Sequence, residues 1–186
     1  MKDRYIYLVF TKTGTWLSNL IYIFSNIKYA HASLSFDKSF TKMYSFGRTN
    51  PENPFSGGFV VESLYDGVYK KFLSCECMIY RVPVTEEQYC SLHEQVKGFI
   101  KEKDKLKYNF LGLFGILFNM PLNRQNSFFC SQFVSKVLIE SKVFECDKTP
   151  ELIRTDELFS ISNGEMIYEG YVNNNRAHTV MHVLEG

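Results

Sequence analysis

Cys130 is the residue of this chain best placed for nucleophilic chemistry. It lies in Asn126-Ser127-Phe128-Phe129-Cys130-Ser131-Gln132-Phe133-Val134, where a polar, irregular segment turns into an apolar-periodic helix expected to begin near Ser127. A thiol in the first turn of a helix faces unpaired backbone N–H groups and the positive end of the helix dipole. Both favour the thiolate, the nucleophilic form, and such settings move a cysteine pKa from about 8.5 to roughly 3.5–7.5. The competing reading is a buried structural cysteine, since free cysteine is among the most buried residue types.

A thiol nucleophile needs a base to share its proton, and the base needs an orienting partner. The chain has four histidines. His93 falls inside a helical stretch and is expected to face solvent. His178 and His182 are spaced for one helix face, but Asn173-Asn174-Asn175 marks a loose tail, and the pair lacks the further ligands a zinc ion takes. His31 opens an alternating segment, His31-Ala32-Ser33-Leu34-Ser35-Phe36-Asp37, on its polar face. An imidazole fixed at a strand end can be aimed into a cleft. The partner should be a carboxylate or amide on a neighbouring strand, accepting from the other ring nitrogen. Glu62, a charge inside the apolar run Phe59-Val60-Val61-Glu62-Ser63-Leu64-Tyr65, meets that description; its other reading is a carboxylate pointing outward from a half-solvated sheet. Arg48 and Tyr108 are weaker candidates for the cleft wall. Arg48 could pair with a substrate carboxylate, against the plainer reading of a solvated loop arginine; Tyr108 reads equally as a core or rim residue.

The elements that must position these groups are legible as periodicities. Tyr5 to Phe10 is an apolar, β-rich run and predicts a buried strand; His31 to Asp37 is half-buried, and Met43 to Phe46 should pair with it. Gly47 to Gly58, with two prolines, two asparagines and three glycines, predicts a surface loop long enough to serve as a lid. Phe59 to Tyr65 and Glu76 to Val84 are strands, separated by the Asp66-Gly67 turn signal. Strands joined by short turns imply a mostly antiparallel sheet. Thr85 and Gln88 form a capping-box pattern at the start of a helix running to about Lys103. Trp16 to Ser25 predicts a short helix, Phe110 to Met120 a buried one, and Met166 to Tyr171 a last strand.

Length and composition bound the rest. A chain of 186 residues predicts one domain spanning 1–186, with a core over about 5–172 and a loose C-terminal tail. Hydrophobic residues make up 45% and charged residues 22%, ordinary for a globule. The net charge of +1 gives no support for a nucleic-acid partner. The five cysteines have no zinc-like spacing, so neither a metal nor another cofactor is expected. The N-terminus lacks a signal-peptide pattern, and no apolar run approaches the about 20 residues a spanning helix needs. The expectation is a reduced, cytoplasmic setting without stable membrane insertion; the sequence leaves the oligomeric state open.

The order of these motifs, a strand with a Thr/Gly turn, HASLSFD, FVVESLYDGV and FFCSQFVSKVLIE, resembles the circularly permuted branch of the NlpC-type papain-like cysteine hydrolases, the YiiX-like peptidases. In that branch the histidine precedes the cysteine, and a triad is defined by spatial roles rather than chain order. The resemblance covers roughly residues 5 to 140. It implies an α+β, papain-like fold: an antiparallel sheet or barrel packed against helices. It implies Cys130 as nucleophile, His31 as base and acid, and Glu62 as orienting residue, with Ser33 and Ser45 as nearby polar alternatives for that third place. The implied reaction is cleavage of an amide or peptide bond, or an ester, through a thioester, in a small peptide or acyl substrate. The lecithin retinol acyltransferase type, a lipid-acting relative of that family, carries Asn-Cys-Glu-His-Phe at the nucleophile, whereas this chain has Phe129-Cys130-Ser131-Gln132-Phe133. An acyltransferase or thioesterase on the same scaffold, and a non-catalytic binding module, are the alternatives.

Overall fold

The computed structural model describes residues 4–13, 26–49, 56–72, 74–117, 120–161 and 163–173. The fold is α+β, built on a sheet of six strands: β1 (Arg4–Lys12), β2 (His31–Ser35), β3 (Met43–Arg48), β4 (Gly57–Glu62), β5 (Glu76–Val84) and β8 (Glu165–Tyr171). The sheet is antiparallel, of order β4-β3-β2-β1-β5-β8. Two further short strands, β6 (Lys107–Tyr108) and β7 (Ser127–Phe128), pair in parallel beside it. The helices are α1 (Gly67–Lys71), α2 (Glu86–Glu102), α3 (Phe110–Leu117) and α4 (Cys130–Glu140).

The central strand β1 is apolar on both sides because both faces of the sheet are covered. Ile6, Leu8 and Phe10 face one core with Ala32, Leu34, Phe46, Met78 and Val82, closed by Leu92 and Val96 of α2 and by Phe133, Val134, Val137 and Leu138 of α4. Val9 faces the other with Met43, Cys77 and Ile79, closed by Phe40, Leu64, Tyr69 and Val172. That double cover explains why Tyr5 to Phe10 reads as a run rather than an alternation. Burying one such Leu or Ile side chain contributes about 1.5–3 kcal/mol. The predicted start of α2 is present: Thr85 Oγ1 accepts from the Gln88 N–H at 3.1 Å, and Gln88 Oε1 accepts from the Thr85 N–H at 2.9 Å.

Several predicted boundaries move. The helix carrying Cys130 begins at Cys130 itself and not near Ser127, because the backbone upstream bonds elsewhere. Asn126 takes a positive φ of 56°, its carbonyl accepts from the Lys107 N–H at 2.8 Å, and the Phe128 carbonyl accepts from the Asn109 N–H at 2.9 Å. The expected strand to Tyr65 stops at Glu62, where Ser63-Leu64-Tyr65 turns away. The ends of the expected loop belong to the sheet: Gly47 pairs with Gly58 and Arg48 with Gly57, so the segment is a hairpin. Its tip at 50–55, the expected lid, lies outside the described residues, as do the expected helix at 16–25 and both C-terminal histidines. Among the described residues no helix is long and apolar enough to cross a membrane.

Candidate active site

His31 sits at the first position of β2, on the sheet face shared by Ser33 and Ser35. The same face of β3 carries Met43, Ser45 and Gly47, opposite Glu62, Val60 and Gly58 of β4. Ser45 and Gly47 are small, and a β-carbon on Gly47 would lie only 3.6 Å from His31 Cε1. The low profile of β3 lets Glu62 reach across it. Glu62 Oε1 accepts from His31 Nε2 at 2.9 Å and from Ser33 Oγ at 2.5 Å. Tyr69, from α1, adds to the groups that hold this carboxylate charged, and its hydroxyl lies 3.5 Å from Thr11 Oγ1. Glu62 is thus turned inward, and Ser33 is its support rather than its substitute.

The sulfur arrives through an opening in the sheet. The β2–β3 ladder consists of Leu34↔Tyr44 and Ser35↔Met43; from there the strands part, and the start of α4 enters the gap. Ala32 keeps its sheet bonding by other means. Its carbonyl accepts from Ser45 Oγ at 2.6 Å, and its N–H donates to the Cys130 sulfur. Cys130 Sγ also lies 3.7 Å from the Ala30 carbonyl. His31, with Nε2 committed to Glu62, has Nδ1 left for its hydrogen bond to Cys130. At the helix start the Ser131 N–H points at the same sulfur. Gln132 folds back so that Oε1 accepts from the Phe129 N–H at 3.4 Å, half of a capping box.

Tyr108 completes the enclosure. The parallel β6–β7 pairing sets Tyr108 beside Phe128, two residues before the cysteine, where its phenol feels the Cys130 charge. The strand before it lies flat on a glycine pair: a β-carbon on Gly57 would fall 2.6 Å from Tyr108 Cβ, and one on Gly58 2.7 Å from the Leu106 carbonyl oxygen. Arg48 is half-buried at the end of β3, one residue beyond Gly47. Among the described residues no hydrogen bond ties it to Cys130, His31 or Glu62, so the structure does not gather it into the cluster. His93 is half-exposed; one side of its ring meets solvent while it packs at 5.0 Å from Phe36 and stacks at 6.1 Å on Tyr89. Among the described residues no three His, Cys, Asp or Glu side chains gather as metal ligands.

The charges follow from this packing. Burial pulls the His31 imidazole down, but the Glu62 charge and the bonds to Cys130 and Glu62 outweigh it and raise the group to about 10. Burial would push the Cys130 thiol up; the hydrogen bond and charge of His31, with the Ala32 and Ser131 N–H groups, reverse this and lower it. Burial likewise pushes Glu62 up, and His31, Ser33 and Tyr69 hold it below its ordinary value. Burial and then the neighbouring Cys130 charge keep the Tyr108 hydroxyl protonated far above the usual phenol range. The lowered thiol and the raised imidazole together favour a thiolate–imidazolium pair backed by a carboxylate. Cys130 is 2% exposed, while the His31 and Glu62 side chains are 19% and 20% exposed, so solvent meets the cluster at the imidazole and carboxylate.

Comparison with family models, curated proteins and solved structures returned no match.

Proposed function

We propose that this chain is a cysteine hydrolase of papain-like, permuted NlpC type, cleaving an amide or peptide bond through a thioester. One observation carries the reading: Cys130, His31 and Glu62 form a continuous relay, with the thiol lowered and the imidazole raised although both lie in a poorly solvated place. A structural cysteine has no need of such company. Cys75 and Cys77, equally buried, are both pushed up to about 12 by desolvation.

The mechanism follows from the positions. The Cys130 thiolate attacks the carbonyl carbon, and the carbonyl electron pair moves onto oxygen. The Cys130 N–H, one of the helix-start donors without an intrahelical acceptor, stabilises that oxyanion, and the Tyr108 hydroxyl, held protonated by burial and the Cys130 charge, is a second donor on that side. A single such donor lowers the barrier by about 3 kcal/mol. The C–N bond breaks as His31 gives its proton to the departing amine, leaving a thioester. Neutral His31 then takes a proton from water, whose oxygen attacks the thioester carbonyl. Collapse releases the acid and restores the thiolate, and the His31 proton stays on the ring to renew the pair. Glu62 holds the imidazole in place and supports its charge throughout. A second reading, hydrolysis or transfer of an acyl ester by the same relay, is favoured by the apolar α3 that follows Tyr108.

Iodoacetamide labelling at pH 6, mapped by peptide mass, tests the relay. Cys90 is exposed and Cys146 half-exposed, so accessibility alone predicts that they react first. The expected result is that Cys130 reacts first, and that His31→Ala slows it by about 100-fold. Equal rates at the three cysteines, or indifference to His31→Ala, would overturn the proposal. Incubation with a peptide library and with acyl esters, followed by intact mass, then identifies which class leaves an acyl adduct on Cys130.

A further inference from the structure

Two regions of the described surface expose large apolar side chains close together. One is the edge strand β8, with Met166, Ile167 and Tyr171 exposed, but it carries Glu165 and Glu169, engaged with Arg81 and with Lys28 and Tyr29. The other is the face formed by α3 and the segment after it, where Leu111 is 57% exposed, Met120 56% and Leu122 37%. These three are held together by Asn109. Its Oδ1 accepts from the Gly112 N–H at 2.9 Å, fixing the first turn of α3 where Leu111 stands, and its Nδ2 donates to the Leu122 carbonyl at 2.9 Å. The Met120 N–H donates to the Gly115 carbonyl at 2.9 Å, and Leu122 packs over Gly115.

The charge around this second face is one-sided. Glu102 and Asp104 are exposed just before it, but from Lys105 to Ile139 the chain contains no aspartate or glutamate. Lys107 and Arg124 are both exposed, and both pair through their backbones with Ser127, which brings the two cations to one margin of the apolar face. Glu151, in the turn that packs against α3, is turned to Gln132. Exposed apolar side chains bordered by cations, on a stretch of chain without acids, match the surface of a bilayer bearing anionic headgroups: the apolar groups enter the acyl boundary while the cations meet phosphate.

We propose that the chain docks peripherally on anionic lipid surfaces through Leu111, Met120 and Leu122, with Lys107 and Arg124 at the margin. Tyr108 lies between Lys107 and the start of α3, and its ring is 4.6 Å from that of Phe110. The docked face therefore adjoins the Cys130 enclosure. The inference does not depend on which bond the thiolate cleaves.

The experiment is flotation of the full chain with phosphatidylcholine vesicles, with and without phosphatidylserine. The expected result is recovery with the phosphatidylserine vesicles, weakened by salt. Leu111→Ser/Met120→Ser/Leu122→Ser and, separately, Lys107→Glu/Arg124→Glu should each lower recovery by about tenfold or more, with the melting temperature and the Cys130 alkylation rate unchanged. No recovery of the wild-type chain, or recovery unaffected by both variants, would overturn the proposal. So would a concentration-dependent dimer broken by the serine variant, which would assign the face to a second copy. Because alkylation is read in the same samples, a failure here is distinct from a failure of the thiol relay.

Discussion

The two ladders flanking the centre of the sheet have opposite characters. Between β1 and β5 the pairing runs unbroken from Arg4↔Val84 to Lys12↔Glu76, and the cysteine it carries, Cys77, is an apolar filler raised to about 12 by burial. Between β2 and β3 pairing ends after Leu34↔Tyr44, and the groups that would have continued it bond to a sulfur and a hydroxyl instead. Burial is similar in the two places; what differs is whether the backbone has donors left over. A closed ladder consumes its N–H groups, whereas an interrupted one leaves the Ala32 N–H for an anion, and the start of α4 adds the Ser131 N–H to it.

Three substitutions break or sharpen that contrast. The largest effect belongs to the closed ladder: Leu8→Ala should cost about 2–5 kcal/mol in urea unfolding, with the alkylation rate of Cys130 in the folded protein unchanged. Loss of alkylation in step with stability would mean that the two regions are not separable. Next, Glu62→Gln should slow Cys130 alkylation at pH 6 by about tenfold, one pKa unit of lost support for the imidazolium. Since Glu62 is what raises His31 against burial, its removal lowers the His31 pKa, and the alkylation profile should move to higher pH. A uniform loss at every pH would mark Glu62 as merely structural. The smallest effect is at the opening: Ser45→Ala removes the donor to the Ala32 carbonyl and should cost about 1 kcal/mol, measured by thermal unfolding, with Cys130 still the first cysteine labelled at pH 6.

Much of this geometry was legible in the sequence. Period-two alternation placed His31, Ser33 and Ser35 on one face, and the out-of-place charge at Glu62 flagged a carboxylate that now sits 2.9 Å from the imidazole. The α+β antiparallel architecture and the start of α2 were equally visible, because capping and alternation are local. What stayed hidden is non-local. No periodicity announces that β2 and β3 part beyond Leu34, that Tyr69 arrives from α1 to support Glu62, or that Lys107–Tyr108 pairs in parallel with Ser127–Phe128. Tyr108 therefore read as a weak candidate although it stands where the Cys130 charge acts on its phenol. Arg48 carried a signal of similar strength and stands outside the hydrogen-bonded cluster. The run of small residues on one face of β3, Ser45 and Gly47, was the available clue that something larger must pass over that strand.

The glycine pair in β4 has a consequence for how this molecule can vary. Gly57 and Gly58 form a level floor on which residues 106–108 rest, with clearances too tight for a methyl group. An alanine at either place would tip that floor, carry the phenol away from the thiolate and leave the relay chemically intact but misaligned. A pair of residues bearing no functional group at all thus sets the separation between two that do.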